Sequence, residues 1–313
     1  MSWEFSRKEV VSGDTATFDF SGDVGLALYG ISRFDINFAT SASGGNLGGS
    51  AISGFGVKLT RENAGEDSRR QVKVKAEVSG TPLSSARVWI TVIAWVGGES
   101  STRYVVSGEE LATGQMSRPE AVVSLPEFSA AVLSGFKLDF ASGSHDVSGV
   151  GASAGISASL TAPGSAYVTG AGTLTGKGAS NCTVSPSGLV LGEAQENAWF
   201  GIVADESTYT VNDINWGKTK LRVETGAPVA LRHTAVLLQS FFGRFSATNM
   251  SPMPLSSVTF GASEPVAVSA SPGVFEFEST RWLADCTTIV NSGKAIWTEA
   301  QTYSAVYVWA ALG

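Results

Sequence analysis

The chain has little charge, few cysteines and few histidines for its length of 313 residues. Charged side chains make up 16% of it, well below the usual quarter or so. Two cysteines and two histidines are too few to assemble the usual zinc-ligand spacing. No nucleophile elbow, phosphate-binding loop or dinucleotide fingerprint occurs either. We therefore expect no metal, no cofactor and no catalytic residue, and we interpret the chain as a protein that is not an enzyme.

Long apolar runs and basic clusters are also missing. No run of about 18 apolar residues occurs, so we expect no transmembrane segment. The net charge is −7 with scattered Lys and Arg residues, which argues against nucleic acid as a partner. The N-terminal charges are not followed by the apolar segment of a Sec-type signal peptide. We expect a cytoplasmic protein, or one released by lysis or by a specialised secretion route.

What the sequence does contain is one motif in three copies. Residues 34–40 (FDINFAT) return as 136–142 (FKLDFAS) and, more weakly, as 241–247 (FFGRFSA). The intervals are 102 residues (34 to 136) and 105 residues (136 to 241), a length typical of a whole domain. Val, Thr, Phe and Trp recur in short alternating runs between Gly-rich turns. The pattern predicts an all-β fold of three tandem related antiparallel β-sandwich or jelly-roll-like domains, at residues 1–106, 107–225 and 226–313.

Each copy also has a strand that ends in alanine, at residues 88–94, 199–204 and 306–310. Counting back in twos from the alanine gives a face that we predict to be core, which in the second copy includes Phe200 and Ile202. The opposite face is apolar as well, so we expect each strand to be central in its sheet. Trp89 and Trp199 occupy the same place in this alignment, and we interpret both as architectural.

One segment is nearly free of charge. Between Ser148 and Ser180 the only charged residue is Lys177, and small polar and apolar side chains alternate. The simplest interpretation is two or three strands with closely packed small side chains. The alternative is a membrane-inserting hairpin of a pore-forming or insecticidal-type toxin.

The two cysteines, Cys182 and Cys286, lie at similar distances after the repeated motif. Equivalent positions in separate domains are unsuited to the short Cα separation of a disulfide. We predict two buried free thiols that behave as small apolar side chains.

Aromatic side chains outside the paired strand positions are the candidates for ligand binding. An indole or phenol ring can stack on the apolar face of a sugar. The candidates are Trp95, Tyr104, Trp216, Trp282 and Trp297. The strand endings Ile93-Ala94 and Trp309-Ala310 are similar to the last strand of H-type lectin domains over fewer than about ten residues, but that family's sugar-binding signature is absent and no residue role is carried over.

Three functions are compatible with these patterns. The leading hypothesis is a non-catalytic structural or adhesive subunit that self-associates into a larger assembly. It is favoured because the strands are apolar on both faces and because the sequence contains no recognisable set of catalytic residues. The first alternative is a carbohydrate-binding, lectin-like module with one shallow site per repeat and a cell-surface glycan as partner. The second is the pore-forming toxin that uses the segment near 148–180.

Overall fold

In the computed structural model of the chain, the described residues are 1–39, 42–43, 46–47, 50–62, 69–98, 100–159, 164–209, 217–244, 254–285, 289–291, 294–296 and 301–313. Within these ranges all regular secondary structure is β-strand, and no helix occurs.

Strands β1 to β8 are Ser2–Val11, Thr15–Asp19, Val24–Phe38, Ala42–Ser43, Asn46–Leu47, Gly54–Glu62, Gln71–Thr81 and Leu83–Val96. Strands β9 to β16 are Arg103–Ser107, Leu111–Ala112, Glu120–Ala121, Phe128–Phe140, Val147–Ala158, Ser165–Gly176, Ser180–Leu191 and Ala198–Tyr209. Strands β17 to β24 are Lys218–Glu224, His233–Arg244, Leu255–Ala262, Val266–Ala267, Val274–Asp285, Ile289–Asn291, Lys294–Ile296 and Gln301–Leu312.

These strands form three curled antiparallel sheets. Sheet I has the order β1-β8-β3-β19-β21-β17, with β20 paired to β21. Sheet II has the order β10-β15-β12-β6-β7-β2, with β9 paired to β15, and sheet III has the order β11-β14-β13-β18-β24-β16. The short strands pair separately, β4 with β5 and β22 with β23. The arrangement is sandwich-like, which confirms the predicted all-β fold class.

Each sheet combines strands from two repeats. Its first half holds the opening strand that carries the repeated motif (β3, β12 or β18), the strand paired with it (β8, β15 or β24) and a lead strand (β1, β9–β10 or β16). Its second half comes from the preceding repeat. The first repeat supplies β6, β7 and β2 to sheet II, and the second supplies β13, β14 and β11 to sheet III. The third repeat supplies β19, β21 and β17 to sheet I, which completes the cycle. The exchange is cyclic, so the sheets cross the predicted limits at residues 106 and 225. By this pairing β16 and β17, which fall within 107–225, group with the third repeat.

The three repeated phenylalanines meet at the centre of the molecule. Phe34, Phe136 and Phe241 lie on the three opening strands and are 0%, 4% and 2% exposed. Their ring centroids are 5.1, 5.1 and 5.0 Å apart, which places the rings around a pseudo-threefold axis. They belong to one continuous cluster of buried side chains, the central core, to which all three repeats contribute.

Each opening strand has a β-bulge at the same place, two residues before its phenylalanine. The bulged residues are Ser32, Ser134 and Gln239. A bulge reverses the alternation of side chains. Leu28, Val132 and Leu237, each an even number of residues before the phenylalanine of its strand, therefore lie in a second buried cluster, whereas the phenylalanines themselves lie in the central core. The hydroxyls of Ser32 and Ser134 donate to the carbonyls of Trp89 and Ser185 at 3.0 and 2.7 Å. These bonds tie the bulge to the neighbouring strand.

Strands β8 and β24 are central in their sheets, as the alternation predicted. On β8, Val88 and Ile90 lie in the central core, whereas Ile93 lies in the second cluster. On β24, Tyr307 lies in the central core and Val308 in the second cluster. In the second half of each strand, the side away from the central core is therefore covered by neighbouring repeats. In the first half that side is partly exposed, at Trp89 on β8 and at Val306 on β24, so the predicted burial of Val306 is not complete.

Strand β16 differs from this expectation, because it is the edge strand of sheet III. The predicted burial of Ile202 is wrong, since that side chain is 49% exposed. Trp199 and Val203, on the other face, pack against the central core. The sequence showed that both faces of β16 are apolar, but alternation alone does not assign which face turns inward or which strand lies at an edge.

The first halves of the opening strands meet on the axis with side chains of unequal size. Gly30, Val132 and Leu237 each lie two residues before the bulge. A Cβ atom on Gly30 would lie 2.8 Å from Cγ2 of Val132 and 3.0 Å from Cδ2 of Leu237. The absence of a side chain in the first repeat therefore makes room for larger ones in the other two.

We expect Gly30→Ala to lower the free energy of unfolding by about 1–3 kcal/mol, because the added methyl group overpacks the axis. Gly80→Ala is the control, since its Cβ would meet its nearest neighbour at an ordinary 3.5 Å. Denaturant unfolding of both variants measures the difference. Equal losses in the two variants would contradict tight packing on the axis.

Candidate functional site

The outer face of sheet III carries almost no charge. It is formed by side chains of β13, β14, β16, β18 and β24 that alternate away from the central core, and we call it the uncharged face. Its described members are Gly149, Gly151, Ser153, Gly155, Ser157, Tyr167, Thr169, Ala171, Thr173, Thr175, Ile202, Ala204, Ser240, Phe242, Ser304 and Val306. The charged residues described on these strands' outer side are Arg244 and Glu206, near one end.

Glycines keep parts of this face free of protruding side chains. Gly151 is paired with Phe242 across β13 and β18. A Cβ atom at Gly151 would lie 3.0 Å from Cδ2 of Phe242, so the missing side chain lets the phenyl ring lie close over the neighbouring strand. Gly149, one pair further on, similarly lies beside the stem of Arg244. The low-charge segment of the sequence thus forms half of a smooth surface, and the third repeat completes it.

The outer faces of the other two sheets are rich in ion pairs. Sheet I carries Lys218–Glu278 at 2.8 Å and Arg33–Asp35 at 3.1 Å. Sheet II carries pairs of the same kind: Lys58–Glu110 at 2.9 Å, Lys75–Glu77 at 2.7 Å and Lys137–Asp139 at 2.7 Å. All of these pairs are at least partly in contact with water. The three sheets are therefore alike in topology but differ sharply in surface chemistry.

Sheets I and II each have a cleft on the outer face, at corresponding positions in the repeat. Cleft I has a volume of about 380 Å³ and is lined by Arg7, Lys8, Glu9, Arg33, Trp89, Ser263 and Glu264. Cleft II has a volume of about 180 Å³ and is lined by residues that include Lys58, Glu77, Glu110, Lys137 and Ser185. Trp89 and Ser185 occupy equivalent positions, because each is paired with the residue before the repeated phenylalanine.

Cleft I brings two arginines and an indole together. The Arg33 guanidinium lies over the Trp89 ring, 4.9 Å from its centroid. Nη2 of Arg7 donates to the carbonyl of Ala262 at 2.7 Å, while its buried Nε has no hydrogen-bond acceptor among the described residues. Burial, partly offset by the Glu264 carboxylate and reinforced by the Arg33 charge, lowers the pKa of Arg7 to about 10. Arg7 therefore stays cationic at neutral pH.

A second group of polar residues is sealed inside the molecule, between sheets I and III. Arg281 and Asp205 form an ion pair at 3.0 Å, with side chains 0% and 4% exposed. Nη2 of Arg281 also donates to the Thr219 hydroxyl at 2.6 Å. Nearby, the hydroxyls of Tyr307 and Ser279 are 2.8 Å apart, and burial raises the pKa of Tyr307. Because these groups are out of reach of solvent, we interpret the cluster as structural.

The three predicted aromatic candidates that the structure describes do not converge. Trp95 is 8% exposed, and the Arg103 guanidinium covers its ring at 3.8 Å. The hydroxyl of Tyr104 donates to the carbonyl of Ser101, and its ring packs on a third buried cluster. Trp282 lies half-buried on β21, opposite Thr259, in sheet I.

Two of the predicted aromatic candidates, Trp216 and Trp297, lie outside the described residues. Of the predicted thiols, Cys182 is buried and free, and burial raises its pKa. Cys286 also lies outside the described residues.

Sequence reasoning missed the residues of cleft I. Trp89 was set aside because it aligned with Trp199, but the two tryptophans lie on strands of different roles, β8 and β16. Arg7 and Arg33 lie far apart in sequence and come together only because β1 and β3 flank β8. The signal that was available is local: Trp89 alternates with the apolar Val88 and Ile90, so its ring lies on the opposite face of the strand.

Within the part of the chain that the structure describes, no group of three or more histidine, cysteine, aspartate or glutamate side chains is placed to hold a metal ion. The same residues include no helix that is both long and apolar enough to cross a membrane. Comparisons of the chain with models of protein families, with curated proteins and with solved structures find no match.

Proposed function

We propose that this chain is a non-catalytic structural or adhesive subunit that self-associates, and that a second copy docks on the uncharged face. The observation that carries the proposal is the contrast between the three sheets. Two of them expose ion pairs, whereas the third exposes small neutral side chains together with Phe242, Val306 and Ile202. A face of this kind can be buried without removing charges from water.

Electrostatics make the uncharged face the most favourable place for a second copy to dock. Each chain has a net charge of −7, so two copies repel one another most where their charged surfaces approach. Docking through the uncharged face lessens this repulsion and avoids the desolvation of ion pairs. Ser, Thr, Ala and Gly also lose little side-chain entropy when they are ordered. Two sheets can pack face to face at a spacing of about 10 Å.

A lysine placed on the uncharged face should weaken self-association. Thr173 is exposed on β14. In a two-fold symmetric contact, Thr173→Lys places one lysine from each copy in the interface, where both positive charges lose contact with water. We expect the dissociation constant, measured by sedimentation or light scattering over a wide concentration range, to rise at least about tenfold, which is about 1.4 kcal/mol.

Thr60→Lys is the matched control for this experiment. Thr60 is exposed on β6, on the outer face of sheet II, and receives the same substitution. It should leave self-association unchanged. A 32.4 kDa monomer at every concentration would refute the proposal, and an equal response of the two variants would show that the contact lies elsewhere.

The alternative toxin function stays a prediction. The segment near 148–180 forms β13 and β14, whose inner side chains, including Val150 and Leu174, lie in the central core. Insertion of this hairpin would therefore have to break the core that all three repeats share. This packing favours the structural function over the toxin.

A further inference from the structure

We propose that cleft I is a binding site for a carboxylate-bearing sugar, such as a hexuronic acid. Its volume of about 380 Å³ falls within the range of about 300–1,000 Å³ that is typical of small-molecule sites. The site lies on sheet I and does not involve the uncharged face. The proposed ligand site can therefore be tested separately from self-association.

The cationic groups of the cleft favour an anion. Arg7, Lys8 and Arg33 line it against Glu9 and Glu264. Most of these charges already have partners. Arg33 bonds to Asp35 at 3.1 Å, and Glu9 pairs with Arg87 at 3.3 Å.

Arg7 is the cation with spare bonding capacity. Nη2 donates to the Ala262 carbonyl at 2.7 Å, and no other hydrogen bond of Arg7 is present among the described residues. The Nε–H is buried, so a ligand in the cleft would bind the Nη end of the guanidinium. A planar carboxylate matches the fork of N–H donors on a guanidinium. An anionic ligand would thus add hydrogen bonds at the Nη end of Arg7, beside the single bond that Nη2 makes to Ala262.

The indole selects a sugar rather than a bare anion. Trp89 is half-buried, and Arg33 stacked at 4.9 Å fixes the orientation of its ring. The ring gives the cleft an apolar wall next to its cationic groups, and such a wall suits the C–H face of a pyranose. In cleft II the equivalent residue is Ser185, and the cleft has about half the volume. The combination is therefore specific to cleft I.

Calorimetric titration of the full chain with glucuronate, glucose, acetate and inorganic phosphate tests the proposal. We expect glucuronate to bind at least about tenfold more tightly than glucose, acetate or phosphate. Equal affinities for glucuronate and glucose would show that Arg7 does not bind the carboxylate of the sugar. Equal affinities for glucuronate and for phosphate or acetate would show that Trp89 does not contact the sugar ring. If glucuronate does not bind at all, the proposal is wrong.

Substitutions locate the site. Arg7→Gln and Trp89→Ala should each weaken glucuronate binding at least about fivefold. Arg222→Gln, the same kind of change at the far edge of the same sheet, should leave it unchanged. Because Arg7→Gln can also disturb folding, the exposed Glu264 provides a second test: Glu264→Gln removes the opposing carboxylate and should strengthen binding. Weaker or unchanged binding by Glu264→Gln would contradict the assignment.

Discussion

Replacing Phe34 with alanine should lower the free energy of unfolding by about 3–5 kcal/mol. The ring is fully buried and lies 5.1 Å from both Phe136 and Phe241 and 6.1 Å from Phe260. The substitution therefore removes a large apolar side chain and three aromatic contacts at once. Denaturant unfolding followed by tryptophan fluorescence and circular dichroism measures the loss. Phe34→Leu, which keeps most of the volume, should cost less than about 1.5 kcal/mol.

The same experiment distinguishes a shared core from three independent ones. Because the three rings touch, we expect one cooperative transition that Phe34→Ala, Phe136→Ala and Phe241→Ala all shift. Double variants should be non-additive, since residues in contact couple by about 0.5–3 kcal/mol. Three separate transitions, with only one shifted by each substitution, would contradict a common core at the pseudo-threefold axis.

Breaking the buried ion pair should have an effect of similar size. Asp205→Asn leaves the Arg281 guanidinium without its counter-charge in the interior, which typically costs about 3–5 kcal/mol. Glu278→Gln makes the same chemical change in the exposed pair with Lys218 and should leave unfolding almost unchanged. Comparable losses in the two variants would show that Asp205 is not held in a dry environment.

The other repeats suggest how to replace the pair. Where the third repeat has Asp205 and Arg281, the first has Val10 and Val78 at the equivalent pairing positions, and the second has a leucine and a glycine. Asp205→Val with Arg281→Met, which keeps most of the arginine's volume, should therefore recover most of the stability lost in Asp205→Asn, since apolar side chains of similar volume often replace a buried pair at little cost. A double variant less stable than Asp205→Asn would contradict this.

The sequence was sufficient to predict the strands but not their partners. The spacing of Phe34, Phe136 and Phe241 predicted three related β units, and the alternation around Val88 predicted a strand buried on both sides. Periodicity reports which side chains share a face of a strand. Periodicity carries no information about which strands are neighbours in a sheet. The cyclic exchange of strands between repeats could therefore not be predicted from the sequence.

Similarity between short sequence segments also gave a wrong alignment where strands with different places in the sheet have similar sequences. Trp199 was aligned with Trp89 because both precede an alanine by five residues, yet one lies on an edge lead strand and the other on a central strand. In the third copy of the motif, Gly243 stands where the first two copies have Ile36 and Leu138. In the structure Phe260 and Leu283 fill the space beside it, where a Cβ atom would meet them at 2.9 and 2.8 Å.

Because every sheet is closed by strands from two repeats, no repeat can complete a sheet by itself. Three separate chains of one repeat each, however, could make all of the same pairings by passing their middle strands to a neighbour around the axis. The topology is thus the one that a domain-swapped homotrimer would have if its subunits were joined end to end. In a single chain the three repeats need not be identical, so one sheet can have a neutral outer face while the other two are charged.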